Sequence, residues 1–163
     1  MVNYLDFESE IVDLDKTISE LDNKNPKNID KIKSLQNQKK NLLQNIYSKL
    51  SAWQKVQVSR HNSRPHTIDF INNIFEDVIF LHGDKKYADD HAIIGGLAKI
   101  DNKSVMIIGT EKGNSMETRI KHNFGMAKPE GYRKAQRLMQ LAEKFKLPIV
   151  IFVDTAGAFP GKD

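Results

Sequence analysis

The residues best suited to chemistry form a short turn at positions 154–161, Asp-Thr-Ala-Gly-Ala-Phe-Pro-Gly. Its two glycines and two alanines allow the backbone to bend sharply and to approach a ligand closely. Exposed N–H groups in such a turn can hold an anion or an enolate oxygen. Asp154 could act as a base, although an Asp after a strand more often caps the turn. A purely structural turn that needs small residues is the alternative interpretation.

A cluster of positive charge precedes this turn. Residues 112–137 contain seven Lys or Arg against Glu117 and Glu130, a local charge of +5 in a chain of net charge +4. This concentration suits an anionic ligand such as a phosphate-bearing cofactor, a carboxylate or nucleic acid. A solvated helix face followed by a loop is the alternative. The basic residues are Lys112, Arg119, Lys121, Lys128, Arg133, Lys134 and Arg137.

The sequence gives little support for cysteine chemistry, a phosphate-binding loop, a metal site or a serine nucleophile. Cysteine is absent, which excludes a disulfide framework, a thiolate zinc site and a cysteine nucleophile. Residues 109–115 begin like a phosphate loop but do not complete its pattern. The five histidines lack metal-ligand spacing, so we expect no metal site, and His61 and His66 beside a proline linker are expected at the surface. Ser115 has no visible base partner.

The elements that position these residues begin with a predicted helical hairpin over residues 1–50, with a coiled-coil-like seam. Apolar residues recur at three- and four-residue spacing on both sides of a turn at 22–28, with Gln36 and Lys39 interrupting the second stripe. We assign this segment packing or oligomerisation and no chemistry. A short helix at 51–58, a polar linker at 60–65 and a helix capped by Thr67 follow. The stripe of that last helix comprises Ile68, Ile71, Phe75 and Val78.

The sequence from residue 92 onwards predicts an α/β domain. Residues 92–100 and 105–109 predict a β-hairpin around a four-residue turn, and Gly95-Gly96 indicates a bulge or a close backbone approach. A helix opening at Pro129 then leads to 149–153, an apolar run typical of a strand buried on both faces. Because ligands collect at the carboxyl ends of such strands, the basic loop and the 154–161 turn should border one site.

Composition places the chain among ordinary globular proteins. Its 163 residues are 39% hydrophobic and 28% charged, and no stretch approaches the roughly 20 apolar residues of a membrane span. The acidic N-terminus lacks an apolar signal core, so we expect a cytoplasmic protein.

A series of ordered motifs carries a specific resemblance. From about Trp53 to Gly161 the sequence closely resembles the alpha subunits of bacterial acetyl-CoA carboxylase carboxyltransferase, while the hairpin matches them in character only. The motifs are Leu81-His82-Gly83-Asp84, Ala88-Asp89-Asp90, Ile94-Gly95-Gly96-Leu97, Lys112-Gly113, Asn123-Phe124-Gly125-Met126, Pro129-Glu130-Gly131-Tyr132-Arg133-Lys134-Ala135, Ala142-Glu143-Lys144-Phe145 and the Asp154 turn.

The resemblance implies a crotonase-like α/β fold of β-β-α units, with 51–163 as the N-terminal part of the carboxyltransferase domain. It implies transfer of a carboxyl group from carboxybiotin to acetyl-CoA, giving malonyl-CoA for fatty acid biosynthesis. Biotin would arrive on a separate biotin carboxyl carrier protein, loaded by an ATP-dependent biotin carboxylase. The active site would lie between this subunit and a zinc-bearing beta subunit, in an α2β2 heterotetramer, with no membrane or nucleic acid involved.

Within that family we assign roles from the chemistry. The backbone N–H groups of Gly157 and Ala158 are candidates for stabilising an oxyanion, and Gly161 belongs to the same substrate-binding turn. Lys112, Arg119 and Arg133 would steer or neutralise an anionic substrate. No metal ligand is assigned.

Two departures from the family pattern modify these expectations. The family turn usually reads Asp-Thr-Pro-Gly-Ala-Tyr-Pro-Gly, and Ala156 and Phe159 replace its third and sixth residues. The family also continues well beyond this turn, including a second glycine-rich segment that resembles its main oxyanion site. We therefore expect an N-terminal fragment or truncated product, inactive alone, whose strand at 149–153 has one uncovered apolar edge.

Two other functions stay open from the sequence alone. The hairpin and the α/β core could form a non-catalytic module that docks another subunit. The basic window and a pI near 9.2 could instead indicate a nucleic-acid binder, although few aromatic residues accompany the basic ones.

Overall fold

The structure, a computed structural model, describes residues 4–21 and 25–161. It divides into two compact units, residues 1–64 and 65–163. None of the helices within the described ranges is both long and apolar enough to cross a bilayer.

The first unit consists of helices. A 3-10 turn, Asp6–Glu8, leads into α1 (Ser9–Glu20); α2 (Pro26–Ser48) and α3 (Ala52–Ser59) follow. Helices α1 and α2 run antiparallel, because Asp15 pairs with Lys39 (Oδ1–Nζ, 2.6 Å) while the earlier Glu8 accepts a hydrogen bond from the later Tyr47 hydroxyl (2.7 Å). The two helices predicted from the apolar stripes are thus confirmed, and the predicted turn at 22–28 lies partly outside the described residues.

Lys39, which interrupts the predicted apolar seam, is accommodated by its ion pair with Asp15. Ile11 is buried in α1 and Ile32 in α2. The predicted domain boundary at 50/51 stays a prediction, whereas the compact units divide after Arg64 and place α3 in the helical unit.

The second unit is a four-stranded mixed sheet of order β1-β2-β3-β4. Its elements are α4 (Thr67–Ile74), β1 (Glu76–Phe80), β2 (Ile93–Ile100), β3 (Lys103–Thr110), α5 (Met116–Lys121), a 3-10 turn (Asn123–Gly125), α6 (Pro129–Phe145) and β4 (Ile149–Phe152). The strands β1, β2 and β3 pair antiparallel, and β4 pairs parallel to β3 after the α6 crossover. The predicted hairpin and β-α-β unit are therefore confirmed.

Alternate residues of β3 face two separate hydrophobic clusters. Met106 and Ile108 pack with Leu138 of α6, whereas Val105 and Ile107 pack with Ile71 of α4. This period of two places one helix on each face of the sheet. The sheet core is therefore an α-β-α sandwich.

Strand β1 corrects the sequence interpretation. The stripe was assigned to one helix, but α4 ends at Ile74 and the last member of the stripe, Val78, lies in β1. Residues 78–81 (Val-Ile-Phe-Leu) suit a strand, and the chain pairs them with β2 instead of continuing the helix. The N-cap is His66, one residue before the predicted Thr67.

The β2–β3 turn is shorter than predicted. Asp101 and Asn102 alone connect the strands, and both have positive φ (48° and 60°), as a type I′ hairpin turn requires. The predicted close approach at Gly95-Gly96 is confirmed, because a Cβ at Gly95 would lie 2.6 Å from the Ile107 carbonyl oxygen. The irregular pairing lies in β1, between Glu76 and Ile79.

Strand β4 is less buried than its composition predicts. Val150 and Phe152 pack into the cluster on the α4 face, whereas Ile149 and Ile151 are 40% and 51% exposed. The cause is that α6 lies over β2 and β3 and leaves β4 uncovered on that face. The prediction of a strand buried on both faces is thus wrong for this structure.

Candidate functional site

The loops after β3 and β4 meet at one edge of the sheet, as their positions in the sequence predict. The Asp154 N–H donates to the Thr110 hydroxyl (2.6 Å), and Lys112 Nζ lies 2.7 Å from Asp154 Oδ1. The Thr155 hydroxyl donates to the Gly125 carbonyl (2.6 Å). These contacts join the basic loop to the 154–161 turn in a single surface.

The turn presents its two candidate oxyanion donors differently. The Gly157 N–H donates to the Thr155 hydroxyl at 3.1 Å, so that donor is already engaged. The Ala158 N–H has no partner among the described residues, and Ala158 is exposed. Gly157 has a φ of 150°, a conformation that L side chains rarely adopt. The turn therefore offers one unpartnered amide beside a second that a hydroxyl holds loosely.

Phe159 and Gly161 complete the turn by packing. The Phe159 N–H donates to the Ala127 carbonyl (3.3 Å), and Lys128 Nζ lies 5.2 Å from the centre of the Phe159 ring. A side chain at Gly161 would collide with that ring, which explains why glycine suits this position. The predicted substrate-binding role of Gly161 stays a prediction.

Lys112 lies in the loop after β3 beside this turn, and Arg119 lies on the short helix that follows. The ion pair with Asp154 partly neutralises Lys112, and both side chains are about a quarter exposed. Arg119 lies on α5, where its Nε donates to the Gly113 carbonyl at 3.4 Å. Ser115 caps α5 by accepting the Thr118 N–H, a structural role that fits its lack of a base partner.

Arg133 lies on α6 and contacts an acidic loop at residues 82–90. Its Nε donates to Asp84 Oδ2 (2.7 Å), and the other oxygen of this buried carboxylate accepts three backbone N–H groups. The Tyr87 N–H, followed by that of Lys86 and the Arg133 guanidinium, outweighs burial and holds the Asp84 pKa well below its usual range. Arg133 thus anchors this loop, and its predicted role in substrate binding stays untested.

Two further basic residues of α6 hold the same loop. The buried Lys134 ammonium donates to Asp89 and to the Asp90 carbonyl (3.0 Å), while Arg137 donates to the carbonyls of Gly83 and His82. Burial raises the pKa of Asp89, but Lys134 and the Gly83 N–H outweigh it and hold that pKa at about 2. The three α6 cations of the basic window therefore all bind the protein itself.

The histidines are less scattered in space than in sequence. The Nδ1 atoms of His82 and His91 lie 3.1 and 3.9 Å from Asp89 Oδ2, and the rings of His91 and His122 stack edge to face. Burial, the largest cause, lowers the His91 pKa despite the nearby Asp89 charge. Within residues 4–21 and 25–161, no three His, Cys, Asp or Glu residues form a metal-binding group.

His66 contradicts its sequence interpretation. It was expected at the surface, yet it is 6% exposed and its Nδ1 lies 3.2 Å from Glu111 Oε1. Glu111 is also buried and accepts the Ile68 N–H, which connects the start of α4 to the end of β3. The linker composition around His66 gave no signal of this contact, because its partner lies 45 residues away.

Comparison with known proteins identifies the family. The model of the acetyl co-enzyme A carboxylase carboxyltransferase-like family matches residues 4–163. Curated relatives named acetyl-coenzyme A carboxylase carboxyl transferase subunit alpha include one from Vesicomyosocius okutanii, 51% identical over 98% of this chain and 52% of its own length. Another, from Francisella philomiragia, is 52% identical over 98% of this chain and 51% of its own length. The chain spans about half the length of these relatives.

A solved structure was also found. It is the structure of a single-chain, multi-domain long-chain acyl-CoA carboxylase. The alignment covers 66% of this chain and 12% of the carboxylase chain. The identity is 14% and the TM-score is 0.45. The family match over residues 4–163 and the relatives at about half identity show that this chain belongs to the acetyl co-enzyme A carboxylase carboxyltransferase-like family.

Proposed function

We propose that this chain supplies one wall of a carboxyltransferase site, in which a carboxyl group passes from carboxybiotin to acetyl-CoA to form malonyl-CoA. The observation that carries the proposal is the exposed 154–161 turn, whose Ala158 N–H has no partner among the described residues. The family match supports the reaction, and the order β2-β3-α6-β4 is compatible with the β-β-α units of a crotonase-like fold.

The turn's contribution follows from where charge develops. The reaction breaks a carbon–nitrogen bond in carboxybiotin and a carbon–hydrogen bond of the acetyl methyl group. It forms a carbon–carbon bond at that methyl carbon, and the methyl proton passes to the nitrogen that loses the carboxyl group. Negative charge accumulates meanwhile on an oxygen of one or both substrates. A fixed backbone N–H aimed at that oxygen stabilises the charge without any proton transfer. Ala158 offers such a donor, and Gly157 could add a second if the Thr155 hydroxyl released it.

The cations at this edge would attract the substrates, which are both anionic. Lys112 lies in the loop that contacts the turn, where Asp154 fixes the position of its ammonium, and Arg119 lies on α5 just after that loop. Arg133 would act indirectly, because its guanidinium holds Asp84.

The implied assembly is part of the same proposal. A zinc-bearing beta subunit would supply the facing wall, and biotin would come on a carrier protein after loading by an ATP-dependent biotin carboxylase. The exposed face of β4 would be covered in such an assembly. Transfer is therefore expected only from a reconstituted complex.

The test compares two proline substitutions in the turn. Ala158→Pro removes the unpartnered N–H, whereas Ala156→Pro removes a neighbouring N–H and introduces the residue usual in the family at that position. Removing one oxyanion donor typically costs about 100- to 1000-fold in rate. In a hybrid that joins this chain to the C-terminal half of a relative, assayed with a partner beta subunit and carboxybiotin, Ala158→Pro should therefore lower malonyl-CoA formation by about that factor, and Ala156→Pro should keep it.

Ligand binding provides a second measurement. Acetyl-CoA or malonyl-CoA at 100 times its Kd should stabilise the chain by about 2.7 kcal/mol and raise its melting temperature. If neither compound moves the melting temperature and both proline variants transfer equally well, the proposal is wrong and a non-catalytic docking module becomes the better explanation.

A further inference from the structure

The loop at residues 82–90 presents a charge to solvent that differs from the charge of its sequence. It contains three aspartates against Lys85 and Lys86, a formal charge of −1. Both lysines are exposed, whereas Asp84 and Asp90 are buried and Asp89 is half-buried. Neither lysine side chain is paired with any group of residues 4–21 and 25–161, and none of the roles proposed above uses them.

The three aspartates are satisfied from inside the protein. Arg133 Nε donates to Asp84 Oδ2 at 2.7 Å, and the Lys134 ammonium donates to Asp89. The Asp90 carboxylate accepts two backbone N–H groups, at 2.9 and 2.8 Å. Because the negative charges are paired and face inwards, the charge that this loop presents to solvent is positive.

The tip of the loop, residues 85–87, is held in one conformation. Asp84 Oδ1 accepts the N–H groups of Lys86, Tyr87 and Ala88 at 2.9, 2.7 and 3.1 Å. Lys85 has a φ of 61°, in the left-handed region that is unfavourable for most residues other than glycine. Since Asp84 already occupies these backbone donors, a ligand at the tip has to be bound by side chains.

An open cavity with a volume of about 380 Å³ lies at this tip, and residues 83–88 line it. Tyr87 contributes an aromatic ring that is 82% exposed, and Lys85 and Lys86 contribute the charge. An exposed aromatic ring is a platform on which a nucleic base can stack, and lysine ammonium groups bind phosphate. The tip therefore holds the two kinds of group that bind the two ends of a nucleotide, within a volume typical of small-molecule sites.

We propose that the tip of this loop binds a nucleotide, with its phosphates on Lys85 and Lys86 and its base stacked on Tyr87. A free nucleotide and the nucleotide end of a coenzyme A thioester share this chemistry, and binding measurements separate them. An acidic peptide would use the lysines alone and would leave the exposed ring without a role. The inference goes beyond the carboxyltransferase proposal and does not depend on it, because binding is measured without any transfer step.

Matched probes on the full 163-residue chain separate the two contacts. ADP carries a base and phosphates, adenosine lacks the phosphates, and inorganic pyrophosphate lacks the base. Each is titrated into isotope-labelled protein while the backbone amide resonances of residues 84–88 are followed by NMR. ADP should shift these resonances saturably, and the other two probes should bind at least about fivefold more weakly, because losing a base–aromatic stack alone costs about that factor.

Coenzyme A, which carries a further phosphate on its ribose, identifies the source of the nucleotide. Tighter binding of coenzyme A than of ADP would support the proposal with the thioester as the source. Tighter binding of ADP would support it with a free nucleotide as the source.

Substitutions of exposed residues locate the site. Tyr87→Ala should weaken ADP binding by about fivefold or more and leave pyrophosphate binding unchanged. The double variant Lys85→Gln, Lys86→Gln should weaken the binding of both by about tenfold or more. The control, Lys55→Gln with Lys144→Gln, removes the same charge from two exposed lysines elsewhere and should change ADP affinity by no more than about twofold.

Several results would overturn the proposal. It is wrong if ADP leaves the resonances of residues 84–88 unmoved, if adenosine or pyrophosphate binds as tightly as ADP, or if the control weakens binding as much as the loop variant does. A tetraglutamate peptide that binds as tightly as ADP would also overturn it, in favour of an acidic protein partner.

Discussion

Replacing Lys134 by Met tests whether the α6 cations build the fold. Lys134 is 2% exposed, and its ammonium donates to Asp89 and to the Asp90 carbonyl. Methionine has a similar length and fills the same space, so the substitution removes the charge and its hydrogen bonds with little change in packing. The acidic loop at 82–90 would then lose one of its main attachments to α6.

The expected loss of stability can be worked out from the pKa of the Asp89 carboxyl group. A pKa of about 2, compared with the ordinary 3.8, corresponds to roughly 2 kcal/mol of preference for its charged form. Removing one partner of a fully buried pair costs about 3–5 kcal/mol. Asp89 is about a quarter exposed and keeps the Gly83 N–H (2.9 Å), so screening and the remaining donor reduce that figure. Lys134→Met should therefore lower the free energy of unfolding by about 2 kcal/mol.

The pH dependence of the free energy of unfolding provides an independent test of the same contact. Because the folded pKa of Asp89 lies below its unfolded value, its contribution is fully present above about pH 4 and is lost as the pH falls towards 2. Without Lys134 this shift shrinks, so stability should fall less steeply across that acid range than in the parent chain.

Urea denaturation of both proteins between pH 2 and 7 measures both effects. Lys144→Met on the exposed part of the same helix is the control and should change stability by no more than about 0.5 kcal/mol. The reasoning fails if Lys134→Met costs less than the control, or if its acid profile matches that of the parent chain.

Three further outcomes follow from the geometry. Asn102→Gly should raise the free energy of unfolding by about 0.5–1 kcal/mol, since Asn102 has a φ of 60° in a type I′ turn; a loss of stability in urea would contradict that turn. Ile151→Lys should reduce self-association in sedimentation velocity, because it charges the exposed face of β4, and unchanged association would exclude this face as the cause. In an absorbance titration, Tyr47 should ionise near pH 12, because its hydrogen bond to Glu8, followed by burial and the Glu8 charge, raises its pKa to about 12; a normal value near 10 that Tyr47→Phe abolishes would refute that contact.

Local patterns in the sequence predicted the elements that have strong periodicity. The stripe of α6, the apolar run of β4 and the hairpin of β2 and β3 all appear where short-range patterns place them. Strand β1 was missed because Phe75 and Val78 happen to continue a helical spacing from Ile71. Its pairing with β2 decides its conformation, and that contact lies outside any local window.

At the candidate site, too, features set by neighbouring residues were predictable from the sequence, and contacts between distant residues were not. The position of the 154–161 turn follows from its adjacent strand, and so does its approach to the loop after β3. The roles of Arg133 and His66 could not be read locally, because their partners Asp84 and Glu111 lie 49 and 45 residues away. A charge in the sequence identifies a cation but not the group that neutralises it.

The long-range contacts also change the interpretation of the +5 charge at residues 112–137. Arg133, Lys134 and Arg137 face the loop at 82–90, which contains three aspartates, and Lys112 is paired with Asp154. At least four of the seven cations in the window are therefore engaged with other groups of the protein. At 0.1 M salt, interactions between exposed charges more than about 10 Å apart are largely screened. Because these contacts already engage several of the cations, the salt dependence of substrate association should be shallower than seven positive charges would produce.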